Sequence, residues 1–185
     1  VVAMEEISRA SGSVGLSYGA HSNLCVNQLH RWGTPAQRRH YLPRLVTGEH
    51  LGALAMSEPG AGSDVMGMKL RAESRGDRYV LNGSKMWISL AAVADHFLVF
   101  ASYDRSLKHN GLTAFIIERG MPGFTTGTIK GKLGVRAGNT GELAFNNVRI
   151  PIENRVGEEG EGFKIAMSCI DQGRFTVGAG AVGLI

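Results

Sequence analysis

The residues best suited to chemistry lie between Leu51 and Val65, in the string LGALAMSEPGAGSDV. Small and apolar residues open it, as in a strand packed on both faces. It then breaks at Glu58-Pro59-Gly60-Ala61-Gly62-Ser63-Asp64. Proline fixes one backbone dihedral and lacks an amide donor, whereas glycine permits positive φ and lets a ligand approach the backbone. Free amides and hydroxyls at such a turn suit an anionic, ring-bearing ligand. The plainer alternative is a tight surface turn between two strands. A dinucleotide fingerprint is excluded: Gly60 and Gly62 have the first spacing of GxGxxG, but Val65 holds the third glycine position.

Other candidates are sparser. Asp171 and Arg174 are spaced i, i+3 in a helical pattern. They either pair on one helix face or leave the guanidinium, with its fixed directional donors, for a carbonyl or phosphate oxygen. Glu58 is a carboxylate within the loop itself, but its place beside Pro59 reads as structural rather than as a base. Cys25 and Cys169 have neither metal nor redox spacing and read as free thiols in a reducing compartment.

The elements that position these residues fall into three parts. Val1 to Ala10 reads as the end of an amphipathic helix, broken at Ser11-Gly12-Ser13. Val14 to Arg31 reads as a second helix rich in small residues, which either permit close packing or leave room beside a ligand. Thr34 and Pro35 are N-cap and first-turn residues of a helix that Pro43 is expected to kink and Gly48 closes. From Leu51 to Ile150 the pattern changes to short strands. Lys69–Ser74 alternates, Arg75-Gly76-Asp77 turns and Tyr79–Leu81 returns; Asn82-Gly83 then gives a two-residue hairpin signal, with a separate strand expected at Met86–Leu90. Strands at His96–Tyr103, Leu112–Glu118 and Leu143–Phe145 complete a closed or sandwiched antiparallel β unit. An acidic linker, Pro151 to Gly160, leads to an apolar helix over Phe163–Ile185, which Asp171-Gln172-Gly173-Arg174 is expected to interrupt. The domains predicted are therefore 1–49 (all-α), 50–157 (β) and 158–185 (α), an α+β chain.

With 185 residues the chain can bury a real core, and 43% hydrophobic against 19% charged residues is ordinary for a soluble globular protein. The net charge of +4 carries no basic block or aromatic interleaving, so nucleic acid is not an expected partner. No apolar run is long enough to span a bilayer, and a membrane is not expected either. Both ends read as cut, which predicts a piece of a longer chain.

Several segments resemble one family. LGALAMSEPGAGSDV is similar to the flavin-binding signature of the acyl-CoA dehydrogenases. GTPAQRRHYLPRLVTGE, YVLNGSKMWIS, KLGVRAGNTGELAFNNVRIPIENRVG and GFKIAMSCIDQGR resemble further segments of the same family, in the same order. Ser8 to Leu29 most resembles the isovaleryl-CoA dehydrogenases. The resemblance implies the family architecture: an N-terminal helical end, a middle β-barrel or sandwich, and the first helix of a C-terminal helical domain.

It also implies FAD as cofactor, an acyl-CoA substrate and an electron-transfer flavoprotein as acceptor. Further implications are a homo-oligomer (tetramer or dimer) and residence in bacterial cytoplasm or the mitochondrial matrix. Leu54, Met56, Ser57, Ser63, Trp87, Ile88 and Ser89 then hold the flavin. The Met56 amide and Ser57 hydroxyl face its pyrimidine end, Ser63 reaches the pyrophosphate or CoA chain, Trp87 packs on the ring, and Ser89 lies near N5. A plain core aromatic is the alternative for Trp87. Ser63, Asp171 and Arg174 are the implied substrate contacts, with Tyr18 and Leu24 near the acyl pocket.

The implied reaction is α,β-dehydrogenation of a short- or branched-chain acyl-CoA, with a glutamate removing the α-proton and hydride passing to flavin N5. In isovaleryl-type members that glutamate immediately precedes the arginine of the last helix; here the position is Gly173. No catalytic base is identifiable in this chain. The family's usual Ile-Thr-Asn-Gly after the tryptophan is Ile88-Ser89-Leu90-Ala91 here, which puts the local loop shape in question. Gly138 and Gly141 stand where the family more often has larger residues. A same-fold flavin oxidase or monooxygenase, or a non-catalytic homologue, remains an alternative.

Overall fold

A computed structural model describes residues 1–185. The helices come first: α1 (Val2–Ala10), α2 (Gly12–Gly19), α3 (Asn27–Trp32) and α4 (Pro35–Thr47). A π-helical stretch, Ala20–Val26, joins α2 to α3, so the small-residue region is one rod with an expanded middle. Close approach accounts for some of its small residues. A Cβ on Gly15 would stand 2.1 Å from Ser8 Oγ of α1, whereas one on Gly19 would make ordinary contact with Met4.

Helix α4 begins as its sequence dictates. Thr34 Oγ1 accepts the Gln37 amide at 3.1 Å, and Gln37 Oε1 accepts the Thr34 amide at 2.9 Å, a reciprocal cap. The Gln37 side chain then donates to the carbonyls of Glu153 and Arg155 at 2.6 and 2.8 Å, tying this cap to the far end of the β unit. Gly48 ends the helix in the left-handed region at φ 77°.

Eight strands follow in one sheet, ordered β6-β7-β3-β2-β4-β5-β8, with β1 (Gly52–Ala55) beside β4. The others are β2 (Arg71–Ser74), β3 (Arg78–Ser89), β4 (His96–Ser102), β5 (Leu112–Glu118), β6 (Phe124–Thr126), β7 (Thr140–Pro151) and β8 (Arg155–Val156). Most pairs are antiparallel, but β1 and β2 both meet β4 in parallel. The sheet is therefore mixed, where alternation alone predicted an antiparallel unit.

Strands β4 and β5 separate two cores. Phe97, Val99, Phe115 and Ile117 point into one, formed among the strands. Leu98, Phe100, Ala114 and Ile116 point into the other, formed with α3, α4 and α5 (Gly162–Leu184). Burial on both faces explains why these strands read as continuous apolar runs.

Three sequence expectations are corrected. Asn82-Gly83 is not a hairpin turn: it lies inside β3, where the register against β7 shifts between Leu81 and Gly83. Gly83, at φ 137°, forms a bulge there, while the turn expected at Arg75-Gly76-Asp77 joins β2 to β3, with Gly76 at φ 78°. The separate strand expected at Met86–Leu90 is the continuation of β3. Helix α5 is not interrupted at Asp171–Arg174, because its neighbouring turns are held against α1 and the second core.

Candidate functional site

Strand β1 delivers the loop to the protein surface, and strand β3 runs behind it. The Met86 amide donates to the Ser57 carbonyl at 2.9 Å, joining the two segments expected to share a ligand. The Met56 carbonyl is taken by Lys85 Nζ at 2.9 Å. The amides of Met56 and Ser57, by contrast, make no hydrogen bond within the chain. Committed carbonyls beside free donors fit a ligand rich in acceptors. The loop then closes tightly, with Glu58 and Ala61 exchanging both backbone hydrogen bonds at 2.9 and 3.1 Å. Ser63 is exposed beyond this turn.

Glu58 is buried and acts as a fastener, as its position beside Pro59 suggested. Its carboxylate accepts from the amides of Lys69 at 2.6 Å and Leu70 at 3.0 Å, and from Lys85 Nζ at 2.9 Å. It thereby clamps both ends of the excursion to β3. Burial lowers the Lys85 pKa to about 8, against the opposing pull of Glu58. Lys85 was missed from the sequence, since a lysine within an alternating strand carries no signal of its buried partner.

Trp87 is 60% exposed, so it is not a core aromatic. A second register shift in β3, between Lys85 and Ile88, re-aims it, and its backbone sits at φ 64°. A bulky residue there stores strain of about 1–3 kcal/mol, a cost that clusters at ligand sites. Leu90 also has positive φ, 65°, at the position where the family pattern has asparagine; its amide donates to the Asn139 carbonyl at 2.9 Å. The chain thus turns here without Asn-Gly. Ile88 is buried in the first core, which leaves its backbone alone for any ligand contact.

A cavity of about 320 Å³ opens beside Trp87 and Ser89. The middle of the helical rod contributes Gly19, Ala20 and Leu24, the loop before β7 contributes Lys132 and Val135, and α5 contributes Gly173 and Thr176. Half of its lining is hydrophobic and no carboxylate faces it. Gly173 lines the wall beneath Leu24, whose Cδ2 would stand 3.1 Å from an added Cβ. Tyr18 is exposed and outside the lining; of the two residues expected near an acyl pocket, the structure brings only Leu24 to it.

Lys132 Nζ donates to Val135 O, Gly138 O and Thr140 Oγ1 at 2.7–2.8 Å, which shapes the loop that forms the third wall. Gly141 admits no larger residue, because a Cβ would lie 1.9 Å from the Gly127 carbonyl.

Leu54 and Met56 pack their half-buried side chains on the second core. Asp171 and Arg174 stand outside the cavity, largely exposed, with a loose contact of 3.8 Å between them. Such an exposed pair contributes little to stability. The two cysteines are free and buried in the same core; burial raises both thiols, Cys25 to about 12.

Comparison with known proteins finds two family regions in the chain. Residues 1–49 match the acyl-CoA dehydrogenase N-terminal domain, and residues 53–148 match the acyl-CoA dehydrogenase middle domain. The mitochondrial isovaleryl-CoA dehydrogenase of Oryza sativa subsp. japonica is 56% identical over 100% of this chain, which covers 45% of that protein. The butyryl-CoA dehydrogenase structure from Megasphaera elsdenii superposes with a TM-score of 0.95 at 44% identity, covering 98% of this chain and 48% of that one. An acyl-CoA dehydrogenase from Bacillus anthracis, solved in complex with FAD, gives 0.91 at 39% identity over 97% of this chain and 31% of its own. The chain spans about half the length of the curated relatives it matches.

Proposed function

We propose a flavin-dependent function for this chain, which belongs to the acyl-CoA dehydrogenase family: the complete protein holds FAD at the β1 loop and Trp87 and oxidises a short- or branched-chain acyl-CoA to the 2-enoyl-CoA. The observation that carries the reading is the pairing of free donors at Met56 and Ser57 with an exposed, strained Trp87 one residue from Met86, which is bonded to Ser57. A flavin needs hydrogen bonds along one ring edge and an apolar plate against its face. FAD, when bound, supplies the two-electron acceptor chemistry.

The chain's residues do the rest. Met56 and Ser57 donate to the ring edge, Ser89 lies beside the reacting end, and Ser63 is placed for pyrophosphate or the CoA chain. Arg174 and Asp171, in solvent on α5, are free to meet the CoA portion. Leu24, Ala20 and Gly173 bound an apolar slot of modest size, in keeping with relatives named for isovaleryl- and butyryl-CoA. No carboxylate stands in the lining, and the reading assigns the α-proton acceptor to none of these residues. Electrons would pass to an electron-transfer flavoprotein, with the protein a homo-oligomer.

That same lack of a carboxylate favours one second reading, a homologue that binds FAD and acyl-CoA without turnover. Anaerobic addition of butyryl-, isovaleryl- and octanoyl-CoA to the complete flavoprotein separates the two. Bleaching by a short or branched thioester is expected; no bleaching by any of them supports the second reading. Rapid reoxidation of the reduced protein by oxygen would instead place it with same-fold oxidases or monooxygenases.

A further inference from the structure

The ligand-facing donors at Met56 and Ser57 have a fully buried ion pair behind them. Lys85 is 0% exposed and Glu58 is 7% exposed. A buried pair of this kind is seldom worth more to stability than apolar residues of the same volume. An apolar side chain at position 85 would fill the same space. It would not hold the Met56 carbonyl, which Lys85 Nζ binds at 2.9 Å while also binding Glu58 Oε1 at 2.9 Å.

The Met56 carbonyl shares one rigid peptide plane with the Ser57 amide, and in a trans peptide the two point in opposite directions. No cis peptide occurs in the chain. Pulling the carbonyl inward onto Lys85 therefore turns the Ser57 N–H outward. The next carbonyl, that of Ser57, is held by the Met86 amide, which anchors the peptide that follows. Glu58 orients the ammonium and is itself held by the amides of Lys69 and Leu70.

We infer that Glu58 and Lys85 are positioning residues for the cofactor: the pair sets the Met56–Ser57 peptide so that its N–H meets an acceptor on the flavin ring. The inference rests on the flavin reading above. Neither residue touches the flavin; both act through this peptide.

The test compares the complete wild-type protein with Lys85→Met/Glu58→Gln, which leaves no buried charge unpaired, and with Glu58→Asp, which keeps both charges but shortens the reach. Apoprotein is titrated with FAD, the visible spectrum of the bound flavin is recorded, and hydrogen exchange is followed over residues 55–70. The expected result is FAD binding weakened about tenfold or more, the size of one charge-assisted hydrogen bond. A displaced flavin band and faster exchange at Ser57 should accompany it in both variants. Wild-type affinity and a superimposable flavin spectrum in whichever variant folds, whatever its melting temperature, would overturn the inference and leave the pair a fastener of the fold. A wild-type protein that binds no FAD would overturn the flavin reading, and this inference with it.

Discussion

Met86 of β3 and Ser57, in the loop after β1, are joined by a single backbone hydrogen bond of 2.9 Å, although β1 and β3 are not neighbours in the sheet order. Through it the loop after β1 and the bulge in β3 become one surface, and Trp87 follows directly from that bulge. The predictions below concern this surface, the cavity beside it and the junction with the helices.

Trp87 is exposed, so its removal should cost the fold little. Trp87→Ala is expected to change unfolding free energy by within about 0.5 kcal/mol. If the indole packs on the flavin, the same substitution should weaken FAD binding and raise bound-flavin fluorescence. Thermal melts of apoprotein and a fluorescence titration read the two effects separately.

Leu24 closes the cavity over Gly173. Leu24→Ala should shift preference towards longer or bulkier acyl groups, read as the ratio of kcat/KM for octanoyl- over butyryl-CoA. Tyr18→Ala, at an exposed position outside the lining, should leave that ratio unchanged.

Gly141 is set by contact rather than by dihedral freedom. Gly141→Ala would force a methyl into the Gly127 carbonyl and is expected to destabilise by about 2–3 kcal/mol. Gly60→Ala, where nothing lies within 4 Å of the added carbon, is the matched control in denaturant unfolding.

His96 links α4 to the sheet: its Nε2 lies 2.8 Å from His50 Nδ1, and its ring stacks edgewise on Tyr41. Burial first, and His50 second, hold its pKa below the usual 6.5, against the opposing pull of Glu118 and Asp95. Between its folded value and 6.5 the unfolded chain binds more protons, so stability is full above that window and is lost as pH falls through it. Melting temperature should drop on acidification from about pH 7 to about pH 5. His96→Phe should flatten that slope.

Features fixed by local chemistry were legible in the sequence. Thr34-Pro35 and Gly48 bound α4 because caps act within one turn of chain. The glycine-rich break after Ser57 read as a tight turn for the same reason, and Glu58 and Ala61 close it. Features fixed by distant partners were not. Asn82-Gly83 carries the chemistry of a hairpin turn, yet pairing with β7 makes it a bulge. Asp171–Arg174 looks like a helix break, yet packing carries α5 through it. Lys85 and Glu58 are 27 residues apart, and nothing near either announces the other. The exposure of Trp87 likewise depends on a register shift that alternation cannot show.

The central claim is that the β1 loop and the β3 bulge hold a flavin. The most direct measurement is the flavin content of the complete protein as purified, from its visible spectrum and from the cofactor released on denaturation. The account predicts about one FAD per chain, as expected for a single pre-formed site. It also predicts loss of that band when Trp87→Ala is combined with Lys85→Met/Glu58→Gln. A colourless wild-type protein that takes up no FAD on titration would contradict it.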